Sequence, residues 1–177
     1  MRTKRAVRGI TLIETATAST IAAIAVGTAI PSFSDTLMRR AVDGTAAQLA
    51  TDLQYVRSEA VARNRPLRIG FEQHGGASCY VIHSGAAGDC RCSADGATVC
   101  EPQAREFRTV QLPAQGRVQV TSNAPSMLFH PVRGTTTPAG TLRVVGANGV
   151  EVRHVVNMLG RARSCSPERS VPGYAAC

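Results

Sequence analysis

Three hydrophobic patterns follow one another along the chain. From about position 10 to Phe33 the residues are mostly apolar, over a length that reaches across a bilayer core when helical. The pattern then becomes one-sided. Val42, Ala46, Leu49, Leu53, Val56 and Ala60 recur at spacings of four and three, which is one helical face, and Asp43, Asp52, Arg57 and Glu59 fall mostly away from it. Asn64 and Pro66 stop the helix near Arg63. Counted from Thr11, it holds roughly 53 residues, about 80 Å at 1.5 Å per residue. No domain of this size buries such a rod, so its first half is expected in a membrane or among neighbouring copies, with the second half packed on a C-terminal domain.

The third pattern has a period of two. Leu67, Ile69 and Phe71 alternate with Arg68, Gly70 and Glu72, and Cys79 to His83 reads as a returning strand after the turn at Gly75 and Gly76. Residues 84–101 are rich in Gly, Ala, Ser and Asp and hold three cysteines, which predicts a surface loop pinned by disulfides rather than a core element. Further strands are expected over 106–112, 117–121, 126–129, 141–145 and 151–158, separated by prolines and glycines. One long helix followed by about seven short, mostly antiparallel strands is an α+β chain, with an amphipathic helical half over 34–65 and a β-rich head over 66–177.

The apolar run has one awkward residue. Glu14 lies near its start, where a carboxylate at membrane depth needs a partner or a purpose. An ordinary secretory signal accounts for Arg2, Lys4, Arg5 and Arg8 and for the small residues at Gly27 to Ala29, but not for Glu14. A plain anchor accounts for the length, though Thr11, Thr15, Thr17, Ser19 and Thr20 weaken it. The order Gly9, Ile10, Thr11, Leu12, Ile13, Glu14, with Pro31 beyond, resembles a type IV prepilin leader, Ile10 standing where that family usually has phenylalanine.

Two later stretches extend the likeness. Met127 to Gly134 with Gly140 to Leu142, and Val155 to Arg163, resemble the head of the minor pilin and pseudopilin family that includes FimT and GspH, with FimT the closer. The resemblance implies a type IV pilin-like fold, a leader over 1–9 removed by prepilin peptidase between Gly9 and Ile10, and a membrane or filament-core half over 10–33. It also implies that Glu14 pairs with the terminal amine of a neighbouring pilin. The chain would begin as a single-pass inner-membrane protein with a periplasmic head and finish in a pilus.

Charge adds a candidate ligand. The chain carries 20 basic and 12 acidic residues; the leader holds four of the basic ones, so its removal lowers the net charge from +8 to +4. Lys4 is the only lysine, and arginine suits phosphate recognition, although codon bias in a GC-rich genome accounts equally well for the count. Placement therefore matters more. From Pro131 onward there are six arginines, Arg133, Arg143, Arg153, Arg161, Arg163 and Arg169, against Glu151 and Glu168. Arg161 and Arg163 follow Gly160 and project alike if the backbone is extended. This Gly-Arg-x-Arg pattern matches the DNA-binding motif of FimT, and the resemblance implies that Gly160, Arg161 and Arg163, supported by the other arginines, hold the DNA backbone during uptake in natural transformation. A solvated strand edge, a contact with the next pilin, or a structural pseudopilin of type II secretion accounts for the same residues without DNA.

Six cysteines, Cys79, Cys90, Cys92, Cys100, Cys165 and Cys177, make an even number in a chain with an export signal, which favours disulfides. Cys165 with Cys177 would close the tail, leaving the other four to pair among themselves. The spacing of Cys90, Cys92 and Cys100 lacks the paired C-x-x-C of a structural zinc site, so no metal is expected. His74, His83, His130 and His154 are scattered, and no nucleophile elbow or phosphate loop is present. Neither an enzyme nor a cofactor is expected.

Overall fold

The computed structural model describes residues 11–93 and 97–177. Its first element, helix α1, spans Leu12–Ala62, and the chain forms two compact units that meet in sequence between Leu37 and Met38. In the first unit Ile13, Ile21 and Ile24 are exposed. Its hydroxyls turn back on the helix: Thr15 donates to the Leu12 carbonyl at 2.9 Å, Thr17 to Ile13 at 3.0 Å, Ser19 to Thr15 at 2.7 Å and Thr20 to Ala16 at 2.9 Å. Such bonds mask part of the hydroxyls' polarity. Among the described residues no helix is long and apolar enough to cross a membrane. The leader, Gly9 and Ile10 lie outside the described residues.

The second unit begins with Met38 on α1 and continues through twelve described strands. They are β1 (Leu67–His74), β2 (Ala77–Ser84), β3 (Cys90–Cys92), β4 (Thr98–Cys100), β5 (Arg105–Leu112), β6 (Val118–Ser122), β7 (Ser126–Phe129), β8 (Thr136–Thr137), β9 (Gly140–Gly146), β10 (Glu151–Val156), β11 (Ala162–Ser166) and β12 (Ala175–Ala176). One sheet has the order β5-β2-β1-β7-β8, a second β12-β11-β10-β9-β6, and β3 pairs with β4. Every pairing is antiparallel except that of β11 with β12. The α+β class read from the sequence holds.

Period-two patterning does what a half-buried sheet requires. In β9, Gly140, Leu142, Val144 and Gly146 are buried, and Thr141, Arg143 and Val145 point the other way. The helical stripe from Val42 to Ala60 is buried throughout, in one cluster with Ile69, Tyr80 and Phe129 of the first sheet and Leu142, Val144 and Val152 of the second. Close approach depends on Gly146, where an added Cβ would lie 3.0 Å from both Met38 and Val42. The Val120 amide donates to Ser78 Oγ at 2.9 Å, tying β6 to β2 and so one sheet to the other.

Three expectations change. Asp52, read as lying on the polar side of the helix, is wholly buried. Tyr80 donates its phenol to Asp52 Oδ2 at 2.8 Å, and Arg108 closes on Oδ1. A buried phenol needs an acceptor, and this carboxylate supplies it; burial, together with that bond, pushes the Tyr80 pKa up. Residues 84–101 are also more than a surface loop. The β3–β4 hairpin lays Cys90 and Cys92 with Cys79 and Val81 in a small apolar cluster of their own. Cys90 bridges to Cys100, its partner in register, while Cys92 bridges to Cys79 on β2. Bridges that close loops of this length stabilise a fold by about 3 kcal/mol each.

Finally, the tail after Met158, where no further strand was expected, is built into the second sheet. It returns as β11 against β10, and residues 167–177 are anchored by the Cys165–Cys177 bridge, the β12 pairing and a Tyr174 hydroxyl bond to Asp43 at 3.0 Å. Asp52→Ala leaves the Tyr80 phenol without its acceptor and Arg108 without its carboxylate. The variant is expected to lose about 1–3 kcal/mol of stability in denaturant unfolding, and Tyr80→Phe in the same background should recover part of the loss.

Candidate nucleic-acid interface

The candidate arginines are set by the β10–β11 hairpin, whose turn is organised by Asn157. Its Oδ1 accepts the Leu159 and Arg161 amides, both at 3.0 Å, while its carbonyl accepts the Gly160 amide at 2.9 Å. Gly160 has φ +71°, and a Cβ there would sit 2.1 Å from the Gly134 carbonyl oxygen, so only glycine fits. That carbonyl accepts Arg57 Nε at 3.0 Å, and the Thr136 amide donates to the Met158 carbonyl at 2.9 Å. The hairpin tip is therefore held against the 130–136 loop and α1.

Register then sorts the arginines by face. Arg143 stands directly opposite Arg153, Cys165 opposite Arg153, and Arg163 opposite Val155. Direct partners share a face, and residues two apart on a strand share it too, so Arg143, Arg153 and Arg163 lie on one side of the second sheet. Two arginines opposite each other repel. Glu151 resolves this: Arg143 donates through Nε and Nη2 to its two oxygens at 2.6 and 2.9 Å, and Arg153 Nε donates at 2.6 Å. Two of the expected supporting arginines are thus tied to one carboxylate, which offsets one of their two charges. Arg161 and Arg163 are exposed and have no carboxylate partner among the described residues.

Arg161 does not stand on the sheet face alone. With Arg57, Arg133, Leu53, Val61 and Val132 it lines a groove of about 850 Å³ that no carboxylate lines. Arg169 is exposed in a short helical turn after β11. His154 adds no charge at neutral pH, since burial lowers its pKa and its Nδ1 lies 2.8 Å from Ser164 Oγ. Glu14, in the first turn of α1, is exposed. Among the described residues no three His, Cys, Asp or Glu side chains gather as a metal site.

Sequence reasoning missed Arg57 and Asn157. Arg57 reads as a solvent residue, yet its position four after Leu53 puts it at the edge of the buried stripe, and this was the one available signal. Nothing local marks Asn157 as the turn's organiser.

A family model described as the type II transport protein GspH matches residues 45–160, so its span ends at Gly160, just before Arg161. A crystal structure of the type IV minor pilin FimU of Pseudomonas aeruginosa aligns with a TM-score of 0.52 at 19% identity, covering 73% of this chain and 95% of that one. A second crystal form of FimU gives a TM-score of 0.47 at 17% identity, covering 71% and 97%. At 19% identity the likeness to the first of these speaks for the fold alone. No curated protein matches the sequence.

The Glu151 cluster has a pH signature. Hydrogen bonding from Arg143 first, with Arg153 adding to it, holds the Glu151 carboxyl at a pKa of about 2 against the burial that pushes it up. A carboxyl depressed below its ordinary 4.5 contributes stability that is present above that pH and lost as pH falls toward 2. Thermal melts across that window are expected to fall less steeply for Glu151→Gln than for the unmodified chain; equal slopes would show that the cluster contributes nothing.

Proposed function

Because this chain belongs to the GspH family of minor pilins and pseudopilins, we propose that it is a minor type IV pilin whose head binds extracellular DNA for uptake in natural transformation. The observation that carries the reading is the pair Arg161 and Arg163. Both are exposed and without a carboxylate partner among the described residues, Arg161 at the hairpin turn held by Asn157 and Gly160 and Arg163 two residues on in β11. Charge-assisted bonds from two such guanidinium groups suit adjacent phosphates. Aromatic platforms near them are scarce, so the expected mode is backbone recognition with little sequence preference and a strong dependence on salt.

Assembly belongs to the same proposal. The chain is placed in the inner membrane by its N-terminal helix, cut by prepilin peptidase between Gly9 and Ile10, and passed into a filament of other pilins. Residues 10–33 become filament core, 34–65 support the head, and 66–177 form it. Glu14 pairs with the new amino terminus of a neighbour, where a lone partner in an apolar setting costs several kcal/mol. The protein is structural and carries no catalysis.

A second reading is a pseudopilin of a type II secretion system with no DNA role. The GspH description of the matching family favours it, as does the pairing of Arg143 and Arg153 with Glu151. A gel-shift assay separates the two: the DNA reading requires a salt-sensitive shift that Arg161→Gln with Arg163→Gln abolishes, and an undiminished shift in that variant rejects the site. Assembly has its own test. Glu14→Ala should be missing from sheared filaments on an immunoblot although the head folds normally, and its normal presence there would remove Glu14 from the assembly step.

A further inference from the structure

The Arg57, Arg133 and Arg161 groove takes Val61 and Ala62 from the C-terminal end of α1, and a smaller pocket of about 390 Å³ takes Arg63 and Arg65, which follow that end. Arg63, Arg65 and Arg105 line it with Phe107, Ser84 and Gln103, and no carboxylate does. The guanidinium of Arg63 lies 5.2 Å from the Phe107 ring centre and that of Arg105 5.8 Å. Stacking on a ring orients a guanidinium group while leaving its edge donors free. Arg63 is paired with Glu59, whereas among the described residues no carboxylate pairs with Arg65 or Arg105. Glu106, next to Arg105 in sequence, instead accepts the Thr109 hydroxyl at 2.6 Å. Arg65 and Arg105, two like charges without an acid beside the paired Arg63, form a site that an anion completes.

We propose that this pocket is a second phosphate site for the DNA that Arg161 contacts, so that the nucleic-acid backbone passes across the end of α1 from one arginine group to the other. The inference rests on the DNA reading and adds a place and a direction to it. A helix with its side chains is about 10–12 Å across. That width is about three steps of a duplex strand at 3.4 Å each, the span the proposal asks of one short stretch of backbone. A protein partner would need acidic groups at both arginine groups; a polyanion supplies them by its nature.

The test uses the full chain in a neutral detergent and a short fluorescein-labelled DNA duplex of arbitrary sequence, titrated across a series of salt concentrations. Arg65→Gln with Arg105→Gln is expected to weaken binding and to lower the salt slope by about 2, one for each phosphate no longer neutralised. Arg65→Lys with Arg105→Lys, which keeps the charge, should retain most of that slope. Arg39→Gln with Arg40→Gln removes the same charge from exposed positions elsewhere on α1 and should leave the slope unchanged.

The outcomes separate the two proposals. Binding by the unmodified chain with an unaltered slope in the Arg65 and Arg105 variant overturns the second site and leaves the DNA reading standing. An equal loss in the Arg39 and Arg40 variant also overturns it, since net charge rather than place would then govern binding. No binding by the unmodified chain at low salt removes both.

Discussion

The head depends on one constraint: a single helical stripe has to serve two sheets. Val42, Ala46, Leu49, Leu53, Val56 and Ala60 are all buried in a cluster that takes side chains from both. The approach is close at Gly146, where an added Cβ would press on Met38 and Val42 at 3.0 Å. Apolar area removed from water stabilises such a core by roughly 25 cal/mol per Å². Loss of the helix would leave each sheet with a bare apolar face.

The same helix also distributes charge. Asp52 faces inward and takes Arg108 with Tyr80, while Arg57, at the edge of the stripe, is turned onto the Gly134 carbonyl. On the second sheet Glu151 takes Arg143 and Arg153. An arginine-rich head therefore carries two populations, one satisfied within the fold and one facing outward. Net charge counts both alike, which makes it a poor guide to where an anion would bind.

Much of the fold was legible from periodicity. The shift from a four-and-three spacing to strict alternation near Leu67 marks the change from helix to sheet, and the strands over 106–112, 126–129 and 141–145 lie where their alternation puts them. The remainder was hidden for physical reasons. Asp52 is buried because a tyrosine distant in sequence requires an acceptor, which no local pattern reveals. β11 carries Arg161-Ala162-Arg163 into pairing with β10, yet its five residues, Ala, Arg, Ser, Cys and Ser, lack an apolar alternation and read as tail. The sequence marked Arg161 and Arg163 as a pair, but their separate settings, a groove for one and a sheet face for the other, arise from the hairpin turn that Asn157 holds.

The β3–β4 hairpin has a consequence for how the head matures. Cys90 and Cys92 are two positions apart, yet Cys90 bonds within the hairpin and Cys92 bonds to β2. The Cys90–Cys100 bond joins residues 10 apart and needs only the hairpin, whereas Cys79–Cys92 needs the hairpin already docked on the first sheet. Cys92 is nearer to Cys100 in sequence than Cys90 is, so an undocked hairpin offers the oxidant a competing local partner. Where that local bond forms first, attack by a free thiolate on it is the chemical route back to the native pairing. The bridge to β2 thus ties the hairpin covalently to the first sheet, and it is disulfide connectivity, not oxidation state, that distinguishes a docked hairpin from a misplaced one.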